Sequence, residues 1–145
     1  MSKSHLLFLA GEHALAAPAD VVQAVHDSLD IQQVAGTKSW FKGLAVANGQ
    51  LLPVTDLCEF LGQRSASGHT IELSESVGIA GLKVDDVFGL SDAIADRRST
   101  EEGVPANMAV TPWVISDAGR EYRVIDVEAM LVRPEFIDIA ESSGL

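Results

Sequence analysis

Asn48-Gly49 stands between two apolar runs, and both residues tolerate the positive φ that a type I′ hairpin turn requires. Residues 43–56, Gly-Leu-Ala-Val-Ala-Asn-Gly-Gln-Leu-Leu-Pro-Val-Thr-Asp, are therefore expected to form a two-stranded hairpin closing on Pro53-Val54-Thr55-Asp56. The arrangement recurs. Residues 54–61 and 124–131 share the pattern Val-x-Asp-(Leu/Val)-x-x-(Phe/Met)-Leu, and the second copy again follows a hairpin, residues 112–116 and 121–125 around Asp117-Ala118-Gly119-Arg120. Upstream, Asp20-x-Val22-x-x-Val25 is echoed by Asp85-x-Val87-x-x-Leu90. The first pair of motifs is offset by 70 residues and the second by 65. One such match could arise by chance, but two in the same order and nearly the same register point to an internal duplication.

Around these motifs the chain reads as short strands. Residues 6–10 and 13–17 flank Gly11-Glu12, Pro18-Ala19-Asp20 interrupts them, and residues 21–25 resume an extended run. Residues 27–34 are a connection with partial apolar alternation. Asp56 is placed to cap a short helix over residues 57–61, stopped by Gly62, and Asp126 to cap its counterpart over residues 127–132. The two aspartates are expected in equivalent positions. Residues 70–73 and 77–84 predict a further hairpin, followed by a strand at 87–90. Residues 91–108 lack a pattern and are expected to be the most mobile internal segment. Pro134 suits the first turn of a terminal helix through Phe136, Ile137 and Ile139. The whole chain, residues 1–145, is expected to be a single mostly β domain in two halves. Their sequence boundary falls near residues 63–69, where Ser and Gly concentrate, with strands free to cross between halves.

Composition narrows the function. With 47% hydrophobic residues the chain can bury a continuous core, and it contains no apolar run of membrane-spanning length or signal-peptide form, so a cytoplasmic protein is expected. A net charge of −11 is the reverse of a nucleic-acid footprint and disfavours anionic membranes, while it suits a protein partner bearing a basic patch. The single cysteine, Cys58, reads as a buried helix residue. No phosphate loop, His-Glu-x-x-His, Cys-x-x-Cys or Gly-x-Ser-x-Gly is present, and the four histidines have no ligand spacing. Asp85 and Asp86 are adjacent on a strand and diverge, so they cannot share a proton or a metal. No catalytic residue, metal or cofactor is indicated.

The ordered motifs Leu-Phe-Leu-x-Gly-Glu, Asp-x-Val-x-x-Val, Trp40-Phe41-x-Gly43, Gly49-Gln50-x-x-Pro53-Val54-x-Asp56-Leu57 and Gly81-Leu82-x-Val84-Asp85-Asp86-Val87 together resemble a CheW-like domain over residues 6–132. Within that family the wording Trp-Phe-x-Gly-Leu-Ala and Gln-Leu-Leu-Pro-Val-Thr-Asp-Leu is similar to the members serving type IV pilus, twitching-motility chemosensory systems. The resemblance implies two small five-stranded, SH3-like β-barrels with short helices and a C-terminal helix. It also implies a non-catalytic adaptor, without cofactor, that couples the tip of a methyl-accepting receptor to the regulatory domain of a CheA-like histidine kinase. Carried over by position, the receptor groove between the barrels would involve Val22, Gly43, Leu44, Val46, Asn48 and Gly49, and the kinase would meet apolar barrel faces. Asn48 and Ala24 stand where the family typically has Arg and Glu; as a lost ion pair they are expected close together on neighbouring strands at the surface. Two other readings fit the same residues: a CheW-like regulator or decoy without kinase coupling, and a small-molecule module using the groove.

Overall fold

The computed structural model describes residues 5–66, 68–98 and 109–140. Strands β1 (His5–Ala10) and β2 (His13–Pro18) form a hairpin, a 3₁₀ turn over Ala19–Val21 follows, and β3 (Val22–His26) resumes the extended chain. Strands β4 (Phe41–Ala47) and β5 (Gln50–Asp56) make the expected Asn-Gly hairpin, with Asn48 at φ 52° and Gly49 at φ 75°. Helix α1 (Leu57–Phe60) leads to β6 (Thr70–Leu73), β7 (Gly81–Lys83) and β8 (Asp86–Ser91). The two-residue β9 (Asp96–Arg97), β10 (Val110–Asp117), β11 (Arg120–Ile125), α2 (Val127–Leu131) and α3 (Pro134–Ile137) complete the described chain.

Two sheets result, one ordered β8-β1-β2-β11-β10-β9 and the other β3-β6-β7-β5-β4. Setting aside β9, the one strand beyond the expected five, the orders correspond place by place. Each contains a parallel pairing at the same point, Val124 opposite Ala16 in one and Val54 opposite Gly81 in the other. Val124 lies 70 positions after Val54 and Gly81 lies 65 after Ala16, the two offsets of the sequence motifs. The two strand orders match, and the matching segments are interleaved between the sheets. Each repeat gives its leading hairpin to one sheet and its next three strands to the other. The stretch at 63–69 does not separate the sheets: it lies between β5 and β6, both in the five-stranded sheet.

Interleaving places apolar groups on both faces of the leading hairpin. Leu6 and Phe8 enter a central core with Leu15, Leu57, Ile71, Leu82, Ile125 and Met130, whereas Leu7 enters a second core with Ala16, Ile115, Tyr122 and Val124. The five-stranded sheet encloses a third, of Ala45, Ala47, Leu52 and Val54. Each fully buried aliphatic or aromatic side chain contributes about 1.5–3 kcal/mol. The six-stranded sheet rolls back on itself, for its edge strand β8 meets the β10–β11 hairpin through Ser91 Oγ donating to Asp117 Oδ2 at 2.7 Å and Phe88 packing on Tyr122 at 6.0 Å.

Asp56 and Asp126 do occupy equivalent places. The backbone N–H of Glu59 donates to Asp56 Oδ1 at 3.1 Å, and that of Ala129 to Asp126 Oδ1 at 3.0 Å. Both caps also donate their own N–H to an incoming segment, Asp56 to the Trp40 carbonyl and Asp126 to that of Ala109, each at 2.7 Å.

Three expectations need adjustment. Residues 77–80 are a loop, because Val77 and Gly78 N–H groups turn back to the Ser74 carbonyl and Gly78 sits at φ 153°, so β7 begins only at Gly81. The connection at 27–34 touches the sheet through Gln32, whose N–H and C=O both pair with Leu44 at 2.7 and 2.9 Å. Helix α3 ends at Ile137, and the chain then extends, with Lys38 N–H donating to the Ile139 carbonyl at 2.8 Å. Most of the segment expected to be mobile, residues 99–108, lies outside the described residues.

Candidate functional site

Strand alternation determines what the β4–β5 hairpin shows to solvent. Ala45, Ala47, Leu52 and Val54 point into the sheet's own core, so the register pairs Leu44–Pro53 and Val46–Leu51 face outward. Val46 is 66% exposed and Leu51 63%. This apolar face continues into a groove of about 440 Å³, whose walls are Leu44 and Pro53 of the hairpin, Val77 and Ile79 of the loop before β7, and Val132 and Ile137 of the helical end. Ile79, Val132 and Ile137 are themselves exposed. An apolar stretch of this extent, continuous over three elements, is the usual mark of a docking surface.

The far wall is fixed by aromatic packing. Phe60 stands edge-on to both Trp40, at 5.1 Å, and Phe136, at 5.3 Å, tying α1 and α3 to the residue that opens the Trp40-Phe41-x-Gly43 motif. Lys38 and Asp138 add an exposed ion pair at 3.4 Å.

Of the six residues proposed from sequence, the structure places one, Leu44, in the groove wall and one, Val46, beside it in solvent. Val22 does not line the groove: it is half-buried, opposite Leu73, and packs on the central core. Gly43 is buried at a bulge with φ 128°, and a Cβ there would lie 2.0 Å from the Gln32 carbonyl oxygen, so it admits the crossing of residues 27–34. Gly49 faces open space in the turn. Asn48 turns away from the groove, and its amide donates to both oxygens of the buried Glu72 carboxylate, at 3.1 Å each. Ala24, on β3, is the register partner of that same Glu72. The two departures from the family pattern thus share a neighbour, although Asn48 lies in a turn and the expected pairing across adjacent strands is not what brings it there.

Leu51, Val77, Ile79, Val132 and Ile137 were missed. The hairpin register could have exposed Leu51, as the partner of Val46. Nothing local marks the others, because their common groove depends on how the chain ends pack against the loop before β7.

The six-stranded sheet also leaves apolar side chains in solvent, Phe88 and Leu90 on β8 and Trp113 on β10, each between 42 and 51% exposed. Arg120 stacks over Phe88 at 5.6 Å and Arg97 over Trp113 at 6.0 Å.

The ionisable groups near α1 serve the fold. Burial pushes the Asp56 carboxyl above its ordinary value against the pull of the Glu59 and Ala66 N–H groups. Burial and the Asp85 and Asp56 carboxylates push the Cys58 thiol up to about 12. At Glu59 burial acts upward, but the paired Lys42 ammonium and the Ser65 hydroxyl together outweigh it and hold the carboxyl below its usual value. Asp85 receives the Gly11 N–H at 2.8 Å while Asp86 stays exposed, so the two carboxylates diverge as expected. Among the described residues no group of three His, Cys, Asp or Glu is assembled to hold a metal, and no helix is long and apolar enough to cross a membrane.

The structure is a mostly β chain with two topologically matching, interleaved sheets, capped one-turn helices and a continuous exposed apolar face. Residues 4–135 match the CheW-like domain, and the chain belongs to that family, a non-catalytic adaptor family of chemotaxis signalling. Among its relatives is protein PilI of Pseudomonas aeruginosa, 32% identical over an alignment spanning 96% of this chain and 81% of PilI. The crystal structure of the scaffolding protein TtCheW from Thermoanaerobacter tengcongensis has the same fold, with a TM-score of 0.76 over 96% of this chain and 98% of that one at 18% identity.

Proposed function

We propose that this chain couples a methyl-accepting, pilus-type receptor to a CheA-like histidine kinase in the cytoplasm, at membrane-associated receptor arrays, and so controls twitching motility. An adaptor of this kind holds two partners at once and needs two surfaces that do not overlap. The observation that carries the reading is the continuous apolar face running from Val46 and Leu51 into the groove, which is separate from the exposed Phe88, Leu90 and Trp113 side chains of the other sheet. The likeness to PilI supports the pilus-type assignment. In this reading the receptor tip docks on the hairpin and groove, and the kinase regulatory domain on the six-stranded sheet. Interface energy concentrates in a few desolvated side chains, so charge adjusts association rate more than affinity.

Val46→Arg is the discriminating variant, because Val46 is exposed whereas Val22 packs on the central core and Leu44 is half-buried. Co-purification with receptor and kinase should show receptor capture lost, with kinase capture and melting temperature close to wild type. A Val46→Arg protein that still captures receptor removes the groove assignment. Wild-type protein that captures receptor but no kinase would turn the reading to a regulator or decoy.

A further inference from the structure

The β4–β5 hairpin ends beside the exposed Val46–Leu51 pair, and although Ala47 and Leu52 are buried in the sheet's own core, the turn that joins the strands is open. A Cβ on Gly49 would meet nothing within 4 Å, and Asn48, Gly49 and Gln50 are all exposed. Among the described residues, two side-chain links reach from the tip, one to the turn after β6 and one to β6 itself. Gln50 Nε2 donates to Glu75 Oε1 at 2.8 Å in open solvent, where such a bond exchanges freely with water. The other link is of a different kind. Asn48 Nδ2 bridges both carboxylate oxygens of Glu72, on β6, and His26 Nε2 on β3 lies 2.8 Å from Oε1 of the same group. Glu72 is buried at 8% exposure within a strand whose other three residues are also buried. A buried carboxylate is tolerated only when its oxygens are bonded, so releasing Asn48 leaves an oxygen unsatisfied. The bond is therefore hard to break, although one of its ends lies in a solvent-exposed turn.

We propose that Glu72 is a positioning residue for partner binding: its buried carboxylate clamps the Asn48 side chain and holds the Val46–Leu51 face in one orientation. The functional half of this inference rests on the adaptor reading above; the mechanical half does not. Neither Glu72 nor Asn48 touches the groove. Their contribution is to remove the ordering cost that a loose hairpin would incur on binding.

The two residues can be exchanged. Asn48→Asp keeps a residue suited to the left-handed turn but sets a second carboxylate against Glu72. Asn48→Asp combined with Glu72→Gln restores an amide–carboxylate pair with its direction reversed, and the amide oxygen introduced on β6 is left to accept from His26. Hydrogen exchange over residues 44–53 is expected to quicken in Asn48→Asp and in Glu72→Gln and to return to the wild-type rate in the double variant. Receptor capture should weaken about five- to tenfold in each single variant and recover in the double. One single change adds a negative charge and the other removes one, so a loosening common to both is not a net-charge effect. Unchanged exchange in Asn48→Asp, or a double variant as loose as the single, overturns the clamp. Exchange that responds while capture by a binding-competent protein stays unchanged overturns its positioning role. Wild-type protein that captures no partner counts against the adaptor reading, and the exchange comparison still decides whether Glu72 holds the hairpin.

Discussion

Gly43, inside β4, and Gly49, in the turn that follows it, illustrate how one residue type serves two needs. Both have positive φ, but only Gly43 has the Gln32 carbonyl where its Cβ would be. Gly43→Ala should destabilise the protein by more than about 3 kcal/mol in urea denaturation, because neither backbone can yield, and Gly49→Ala by only about 1 kcal/mol for its dihedral strain. The Asn-Gly turn was legible because its chemistry is local; the need at Gly43 was not, because Gln32 is eleven residues away in sequence. Cys58 behaves as its position implied. With its thiol pushed up to about 12, it should resist alkylation in the native protein at pH 8 and react at once in denaturant, as read by mass. Asp56 and Glu59, three residues apart, have opposite pH signatures. The folded-state value of Asp56 is raised, so its stabilising contribution is full below its unfolded value and is lost as pH rises through the folded one. That of Glu59 is lowered, so its contribution is full above its unfolded value and is lost as pH falls. From about pH 3 to 7 the cost of Asp56→Asn should therefore shrink and that of Glu59→Gln should grow, measured as urea midpoints across that range.

The elements were legible where a cap or turn residue announced them. Asp56, Asp126 and Pro134 each start the short helix expected of them. The second hairpin achieves its turn with a less suitable residue: Ala118 adopts φ 50°, close to the 52° of Asn48 in the first. An alanine there is strained, so Ala118→Gly should raise stability by about 1 kcal/mol, checked by the same denaturation. What the pattern of residues could not convey was the loop at 77–80. Val77 and Ile79 alternate like strand residues, but the turn at Ser74 and the conformation of Gly78 withdraw them from the ladder and leave them free to wall the groove. The exposed apolar face was half visible for the same reason. Its hairpin side follows from the register of Leu44 and Val46, whereas Val132 and Ile137 become part of it only through the aromatic packing of Phe136 on Phe60 and Trp40.

At the scale of the molecule, the two sequence offsets revealed that there are two repeats, and the structure shows how they are divided. Alternation tells which residues are inside; it does not tell which sheet they are inside, and Leu6 and Leu7, neighbours in sequence, end in different cores. The repeats interlock through the parallel pairings of β11 with β2 and of β5 with β7 and the antiparallel pairings of β1 with β8 and of β3 with β6, since each joins a strand of one to a strand of the other. The peptide link at residues 63–69 is consequently not what keeps the two repeats together. Setting aside the two-residue β9, fragments 1–66 and 67–145 each hold a hairpin without its sheet and three strands without their centre, so each alone should be unfolded by circular dichroism. Mixed, they should regain the spectrum of the whole chain, at concentrations set by their own dissociation constant. Each repeat then behaves as the missing half of a split protein.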